Sequence, residues 1–379
     1  MSWKIPLFDT EFDAAELDAV SDVIRSGWLT MGAQVQIFEE RFAEFIGTRY
    51  AIAVSSGTAA LHLANRALGI GPGDEVICTA LTFVAGPNSV LYTGAVPVFA
   101  DIEGEHNFSI SPEDVAKRIS PKTKAIQVVH YAGYPCDMDS IMTLARKHGL
   151  AVVEDCAHAP GARYKDRNVG AISDIGCFSL FSNKNMTTGE GGMVTTDDEL
   201  FAKQMRSLRS HAMTTDSFAR HHGDSFSYDV DDLGYNYRLD EIRAAFGLVQ
   251  LKKLPEYNLR RRQIRTWYEN SLSEIADITM PYRGANEEAA WHILPILLPN
   301  GHDKFAFMSQ MKKRGIQTSV HYPPAHQFSF YRKLFSDKNI SLPITEHVTQ
   351  REVTLPFYTS MTEENVSYVC ESVAASLKG

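Results

Sequence analysis

Between positions 51 and 155 the chain repeats one unit: a short, unbroken apolar run followed by a stretch whose apolar residues recur at helical spacing. The runs fall at 51–55, 75–79, 96–100, 125–130 and 151–155. The segments between them include a helix with Ala60, Leu61, Ala64, Ala67 and Leu68 on one face, a second near 84–92 and a third over 137–148. A strand with one face in water alternates apolar and polar residues, so unbroken apolar strands need cover on both faces. Strands separated by helices therefore predict an α/β fold whose sheet is mostly parallel and covered by helices. In such sheets ligands bind beyond the carboxyl ends of the strands.

Those ends carry the informative residues. The first run turns through Ser56-Gly57-Thr58 into a helix, an arrangement that presents unpaired backbone N–H groups and the positive end of the helix dipole. Gly57 allows close approach, so the turn reads as an anion site or as an ordinary Ser/Thr helix cap. Asp155 ends the run Ala-Val-Val-Glu-Asp, which puts a carboxylate at the rim of a buried sheet, where it needs a cationic partner or must cap the next segment. Strand alternation sends its neighbour Glu154 to the other face. Segment 177–196, CFSLFSNKNMTTGEGGMVTT, is predicted to hold two buried strands joined by a glycine-rich return. Lys184 sits just past the first of these strands, five residues after Ser179. A single loop lysine is ordinarily solvated, and the anion-type and carboxylate sites at the same sheet edge distinguish this one.

Composition narrows the alternatives. With 379 residues, 44% hydrophobic and 22% charged, the chain is globular and has room for about two to three domains. A net charge of −9 gives no basic footprint for nucleic acid or for an anionic membrane surface. The expectation is a cytoplasmic protein without a signal peptide or membrane span. Five scattered cysteines with no CxxC pair indicate neither disulfides nor a zinc site, and His221-His222 lack a third ligand, so no metal is expected. Helices are predicted from about 13 to 26, through the stretch Val35–Ile46, and from 197 to 209, with an irregular loop over 211–232. Composition shifts at Pro255. The reading is a cofactor-binding large domain over 1–254 and a smaller α+β domain over 255–379. Predicted in the latter are strands 292–298 and 318–321, helices 303–314 and 363–377, and a solvated arginine face at Arg260, Arg261, Arg262 and Arg265.

The residues at the strand ends meet the needs of pyridoxal 5′-phosphate (PLP). An amine holds its aldehyde as a Schiff base, amides and hydroxyls hold its phosphate, and a buried carboxylate keeps its ring nitrogen protonated. Lys184, Gly57-Thr58 with Ser179, and Asp155 supply these in turn. No GxGxxG after a strand, GxxxxGK[ST], HExxH or GxSxG competes.

The chain also resembles the sugar aminotransferases of the DegT/StrS type, which are fold-type I PLP enzymes. The resemblance runs through GWLTMGAQVQIFEERFAEFIG, VSSGTAALHLA, VVEDCAHAPGARY, CFSLFSNKNMTTGEGGMV, LGYNYRLDEIRAAFGLVQL and HYPPAHQ. It implies that Lys184 is the Schiff-base lysine and proton shuttle and that Asp155 pairs with the pyridine nitrogen. It makes Gly57, Thr58 and Ser179 phosphate ligands, stacks Phe83 on the ring and brings His158 to the ring oxygen. Asn236 is implied to reach the cofactor phosphate of a homodimer partner, while Trp28, Thr30, His321 and His326 are substrate-pocket positions. The implied reaction moves an amino group from an amino acid, usually glutamate, to a keto sugar that is usually nucleotide-linked. Two alternatives are a dehydratase of the same family, in which a histidine replaces the lysine, and a non-catalytic regulatory or scaffold protein.

Overall fold

The apolar runs form one seven-stranded sheet: β1 (Tyr50–Val54), β2 (Glu75–Thr79), β3 (Val96–Ala100), β4 (Thr123–Val129), β5 (Ala151–Asp155), β6 (Ile175–Ser179) and β7 (Gly192–Thr196). Their spatial order is β1-β7-β6-β5-β4-β2-β3. The computed structural model describes residues 3–214, 227–284 and 288–378, and His221 and His222 lie outside these. The pairings β6–β5, β5–β4, β4–β2 and β2–β3 are parallel. Strand β7 is antiparallel to both β1 and β6, because it returns directly from β6 through the glycine-rich segment.

Alternation along each strand sorts side chains to the two faces, as expected for a doubly covered sheet. Ile52, Val54, Val153 and Cys177 pack with Ala60, Leu63 and Ala64 of the helix Gly57–Ala67 and with Met205 and Leu208 of the helix Glu199–Arg209. On the other face Ala51, Ala53, Phe178 and Met193 meet Phe38 and Phe42 of the helix Ala33–Ile46.

A second, two-stranded antiparallel ribbon, β8 (Leu294–Leu297) and β9 (Glu352–Leu355), belongs to the C-terminal part with the helices Lys304–Lys313 and Glu363–Leu377. Of the expected strand at 318–321, only an isolated bridge, Ser319 to Thr354, forms. The helix Glu241–Leu272 runs straight through Pro255, so the composition shift there is not an interruption of structure. The arginine face also needs correction. Arg261 and Arg265 are buried, at 6% and 4% exposure. Arg261 donates to the carbonyls of Trp291 (3.3 Å) and His292 (3.2 Å), and Arg265 to Glu269 and to the Pro281 carbonyl. The charge run hid this because one side of that helix packs on the C-terminal core, where backbone carbonyls accept from both guanidinium groups.

Candidate active site

The carboxyl ends of β1, β5 and β6 border one cavity of about 420 Å³, lined among others by Gly57, Thr58, Phe83, Asp155, His158, Ser179, Lys184 and His321. Register brings these ends together. Val54 and Ser179 both pair with Gly192, from opposite sides of β7, while Cys177 and Val129 both pair with Asp155. Ser56 caps the helix that follows β1 by accepting from the Ala59 amide at 3.1 Å. The amides of Gly57 and Thr58 head the same helix ahead of its first internal bond, from Ala60 N to the Ser56 carbonyl. The two sequence readings of this turn are therefore compatible: Ser56 is the cap, and the next two residues face the cavity. A Cβ on Gly57 would lie 2.9 Å from Ser179 Cβ and 3.3 Å from its Oγ. The helix start and the β6 hydroxyl thus form a single cradle that a methyl group would fill.

Asp155 and Glu154 divide as alternation requires. Glu154 is fully buried on the far face, where it accepts from the Gly170, Ile172 and Ser173 amides and the Ser173 hydroxyl and pairs with His130 at 3.0 Å. His130, Glu154 and Cys156 come close enough to share a cation, yet the Glu154 oxygens are engaged by these donors and His130 Nδ1 accepts from the Cys136 amide. Asp155 faces the cavity and accepts from the Ala157 amide at 3.0 Å. Burial pushes its pKa up, against the pull of that amide, of Lys184 and of His130. A carboxylate in this position is stabilised by a cation brought beside it.

Lys184 lies in the loop between β6 and β7, partly buried at the cavity wall. Its backbone is fixed by Lys184 N to the Phe181 carbonyl (3.0 Å) and by Thr188 N to the Leu180 carbonyl (2.9 Å). Next to it the buried Asn185 side chain is bonded to Asn258, to the Ala290 carbonyl and to His292. Burial lowers the Lys184 pKa to about 8, with Asp155 opposing. At pH 7 roughly a tenth of a group with that pKa is free amine, the form that attacks a carbonyl. His158, His292 and His321 are held neutral around it, chiefly by burial and secondarily by the Lys184 charge.

Phe83 is 58% exposed at the cavity wall, with its ring centroid 5.9 Å from that of Tyr322, so a face of the ring is available to a flat ligand. His158 Nδ1 accepts from the Ala132 amide, which places the ring proton on Nε2, 2.9 Å from the Tyr322 hydroxyl. Tyr322 also lines the cavity. In the sequence Tyr322 carries no signal beyond a turn before two prolines.

Four expected site residues are not brought to this cavity. Trp28 lines a separate hollow with Glu241, Thr30 is exposed, and His326 pairs with Glu346 beside another hollow. Asn236 is exposed and bridges to Ser210.

The donor set fits PLP. The cradle suits a phosphate dianion, Asp155 a protonated ring nitrogen, Lys184 an aldehyde and Phe83 the ring face. The fold and cavity define a fold-type I PLP-dependent aminotransferase, and the chain belongs to the DegT/DnrJ/EryC1/StrS aminotransferase family, which matches it over residues 10–374. It is 39% identical to the spore coat polysaccharide biosynthesis protein SpsC of Bacillus subtilis, across 100% of this chain and 97% of that one. Its structure superposes on Helicobacter pylori PseC, an aminotransferase involved in the biosynthesis of pseudoaminic acid, with a TM-score of 0.91, 32% identity and 99% of each chain covered. It also resembles Spr1654 of Streptococcus pneumoniae in its PLP form, with a TM-score of 0.89, 28% identity and 100% and 98% of the two chains covered. That protein has been solved in a pyridoxamine phosphate form as well. The chain is thus an enzyme, a PLP-dependent aminotransferase of the sugar-aminotransferase type.

Proposed function

We propose that this enzyme moves the amino group of an amino acid, L-glutamate, to a keto sugar carried on a nucleotide, in the building of amino sugars for a surface polysaccharide or a secondary metabolite. The observation that carries this reading is the placement of Lys184 and Asp155 on one cavity with the anion cradle at Gly57. When bound, PLP would supply an electron sink for the pair left on the carbon that loses its proton. The chain supplies the rest. Asp155 would hold the proton on the ring nitrogen, Lys184 would take the proton from the donor's α-carbon and, in the half-reaction with the sugar, deliver one to the carbon that receives the amino group, and Gly57, Thr58 and Ser179 would hold the phosphate.

A lysine, where the dehydratase alternative needs a histidine, favours amino transfer over elimination. The names borne by SpsC and PseC support a sugar acceptor. Exposure of Asn236 outside its own cavity supports its reaching the site of a second copy in a homodimer. Five free, buried cysteines suit a reducing compartment such as the cytoplasm. Among the described residues no helix is long and apolar enough to cross a membrane.

The test uses the two half-reactions. Glutamate alone should shift the visible absorption of the holoenzyme and release one equivalent of 2-oxoglutarate per site. A nucleotide-linked keto sugar added next should restore the spectrum and yield an amino sugar, with ping-pong kinetics when both are present. A spectrum unmoved by glutamate, glutamine, aspartate and alanine would overturn the assignment.

A further inference from the structure

His321 is held on three sides. Its amide donates to Glu352 Oε2 (3.0 Å), its carbonyl accepts from the Tyr131 hydroxyl, and its ring Nδ1 lies 2.9 Å from Thr354 Oγ1. Thr354 Oγ1 is in turn 2.6 Å from Glu352 Oε1. The Thr354 backbone is fixed by exchanging both of its hydrogen bonds with Ser319, at 3.1 and 2.8 Å. The ring of His321 lines the cavity beside Lys184, and its Nε2 makes no hydrogen bond among the described residues.

A threonine hydroxyl has one proton, so Thr354 donates either to Glu352 or to His321, never to both. With Glu352 ionised, the hydroxyl donates to the carboxylate, Nδ1 must donate to Oγ1, and Nε2 is left with a lone pair. With Glu352 protonated at Oε1, the carboxyl donates to Oγ1, the hydroxyl donates to Nδ1, and the ring proton is on Nε2. The two states differ by one proton. It arrives at Nε2 from the cavity as the Nδ1 proton passes to Oγ1 and the hydroxyl proton to Oε1, which leaves no charge on the ring.

We propose that Glu352, acting through the Thr354 hydroxyl, sets the tautomer of His321 and so decides whether a substrate meets a hydrogen-bond acceptor or a donor at Nε2. For the substrate itself this rests on the proposed reading of the cavity as a site for a hydroxyl-bearing sugar. Glu352 and Thr354 are positioning residues, and His321 makes the contact. Burial raises the Glu352 pKa to about 8, against the Thr354 hydroxyl, the His321 amide and Lys304, and burial with the Lys184 charge lowers that of His321 to about 4. The tautomer therefore switches near neutral pH while the ring stays uncharged. Among the other groups facing the relay, Tyr131 and Tyr322 stay phenolic and His158 and His292 stay neutral, whereas Lys184, with its pKa lowered to about 8, titrates in the same window, so the switch is assigned by the Glu352 and Thr354 variants, in which Lys184 is unchanged.

The test is nitrogen NMR of the holoenzyme labelled at histidine, with the His321 signals identified by their loss in His321→Gln. In the wild-type enzyme Nε2 should change from the protonated to the unprotonated type as pH rises through about 8. Glu352→Gln, whose carboxamide N–H₂ donates to Oγ1, should keep Nε2 protonated at every pH. Thr354→Ser should retain the switch and Thr354→Val should abolish it. Identical His321 signals in the wild type and Glu352→Gln across this range, or a Thr354→Val variant that titrates like the wild type, would overturn the relay. The readout needs no sugar, so a failure to turn over any keto sugar would remove the functional reading without touching the relay. Conversely, a sugar KM that depends on pH identically in the wild type and Glu352→Gln would show that the relay does not reach the substrate.

Discussion

A Cβ added to Gly57 would stand 2.9 Å from the Cβ of Ser179, so two strand ends meet at a gap only a backbone can line. Gly57→Ala should wedge the helix start away from β6 and weaken PLP binding by tenfold or more, on the order of 1.4 kcal/mol. Absorbance titration of the apoenzyme with PLP checks this, and wild-type affinity in the alanine variant would place the phosphate elsewhere.

Because burial lowers the Lys184 pKa to about 8, cofactor capture should accelerate as pH rises from 7 to 9 and then level off. Borohydride should fix the cofactor to the peptide carrying Lys184. Lys184→Ala should lose turnover by roughly 10²-fold or more while still holding cofactor through the cradle. Mass spectrometry of the reduced, digested protein decides it, and label on any other lysine contradicts the site.

Asp155→Asn and Glu154→Gln are the same chemical change on adjacent residues, and they should do different things. The first should fold and bind PLP but lose kcat on the order of 10²–10³-fold, the scale for removing one group that stabilises developing charge. The second places an N–H₂ among backbone N–H donors and should destabilise the fold by roughly 3–5 kcal/mol. Urea unfolding beside single-turnover rates separates the two. Equal stability losses would mean that the residues share one environment.

Glu352 holds its proton up to about pH 8 in the folded chain, against an ordinary value of 4.5. Between those pH values the unfolded state binds fewer protons, so this group makes stability fall as pH rises, with no further loss above about 8. Glu352→Gln should therefore show a shallower decline than the wild type between pH 5 and 9. Parallel urea midpoints for the two proteins over that range would show that the carboxyl is ionised when folded.

If Asn236 serves the site of a second copy, mixing Lys184→Ala with Asn236→Asp should gather both lesions in one site of the heterodimer and leave the other intact. Activity should then return on subunit exchange, to at most about half that of the wild type per heterodimer. A mixture that stays inactive after exchange is demonstrated by mass would show that each cavity is complete within one chain.

The sequence alone determined the sheet, the edge where the site lies and the cofactor. These depend on local pattern: unbroken apolar runs require burial on both faces, and a strand running through Ser-Gly-Thr into a helix exposes amides whatever surrounds it. Lys184, Asp155 and Gly57 were legible because each sits at the end of such a run. Only the tertiary structure decided which polar groups are satisfied by distant partners. Glu241 caps the helix Ala33–Ile46 from another helix, accepting from the Gly32, Gln34 and Val35 amides, and Arg261 is buried against carbonyls some thirty residues away. Tyr322 and the Glu352–Thr354–His321 relay were invisible for the same reason. A hydrogen bond is a relation between two groups in space, and periodicity records only whether each residue is buried, not what it meets there.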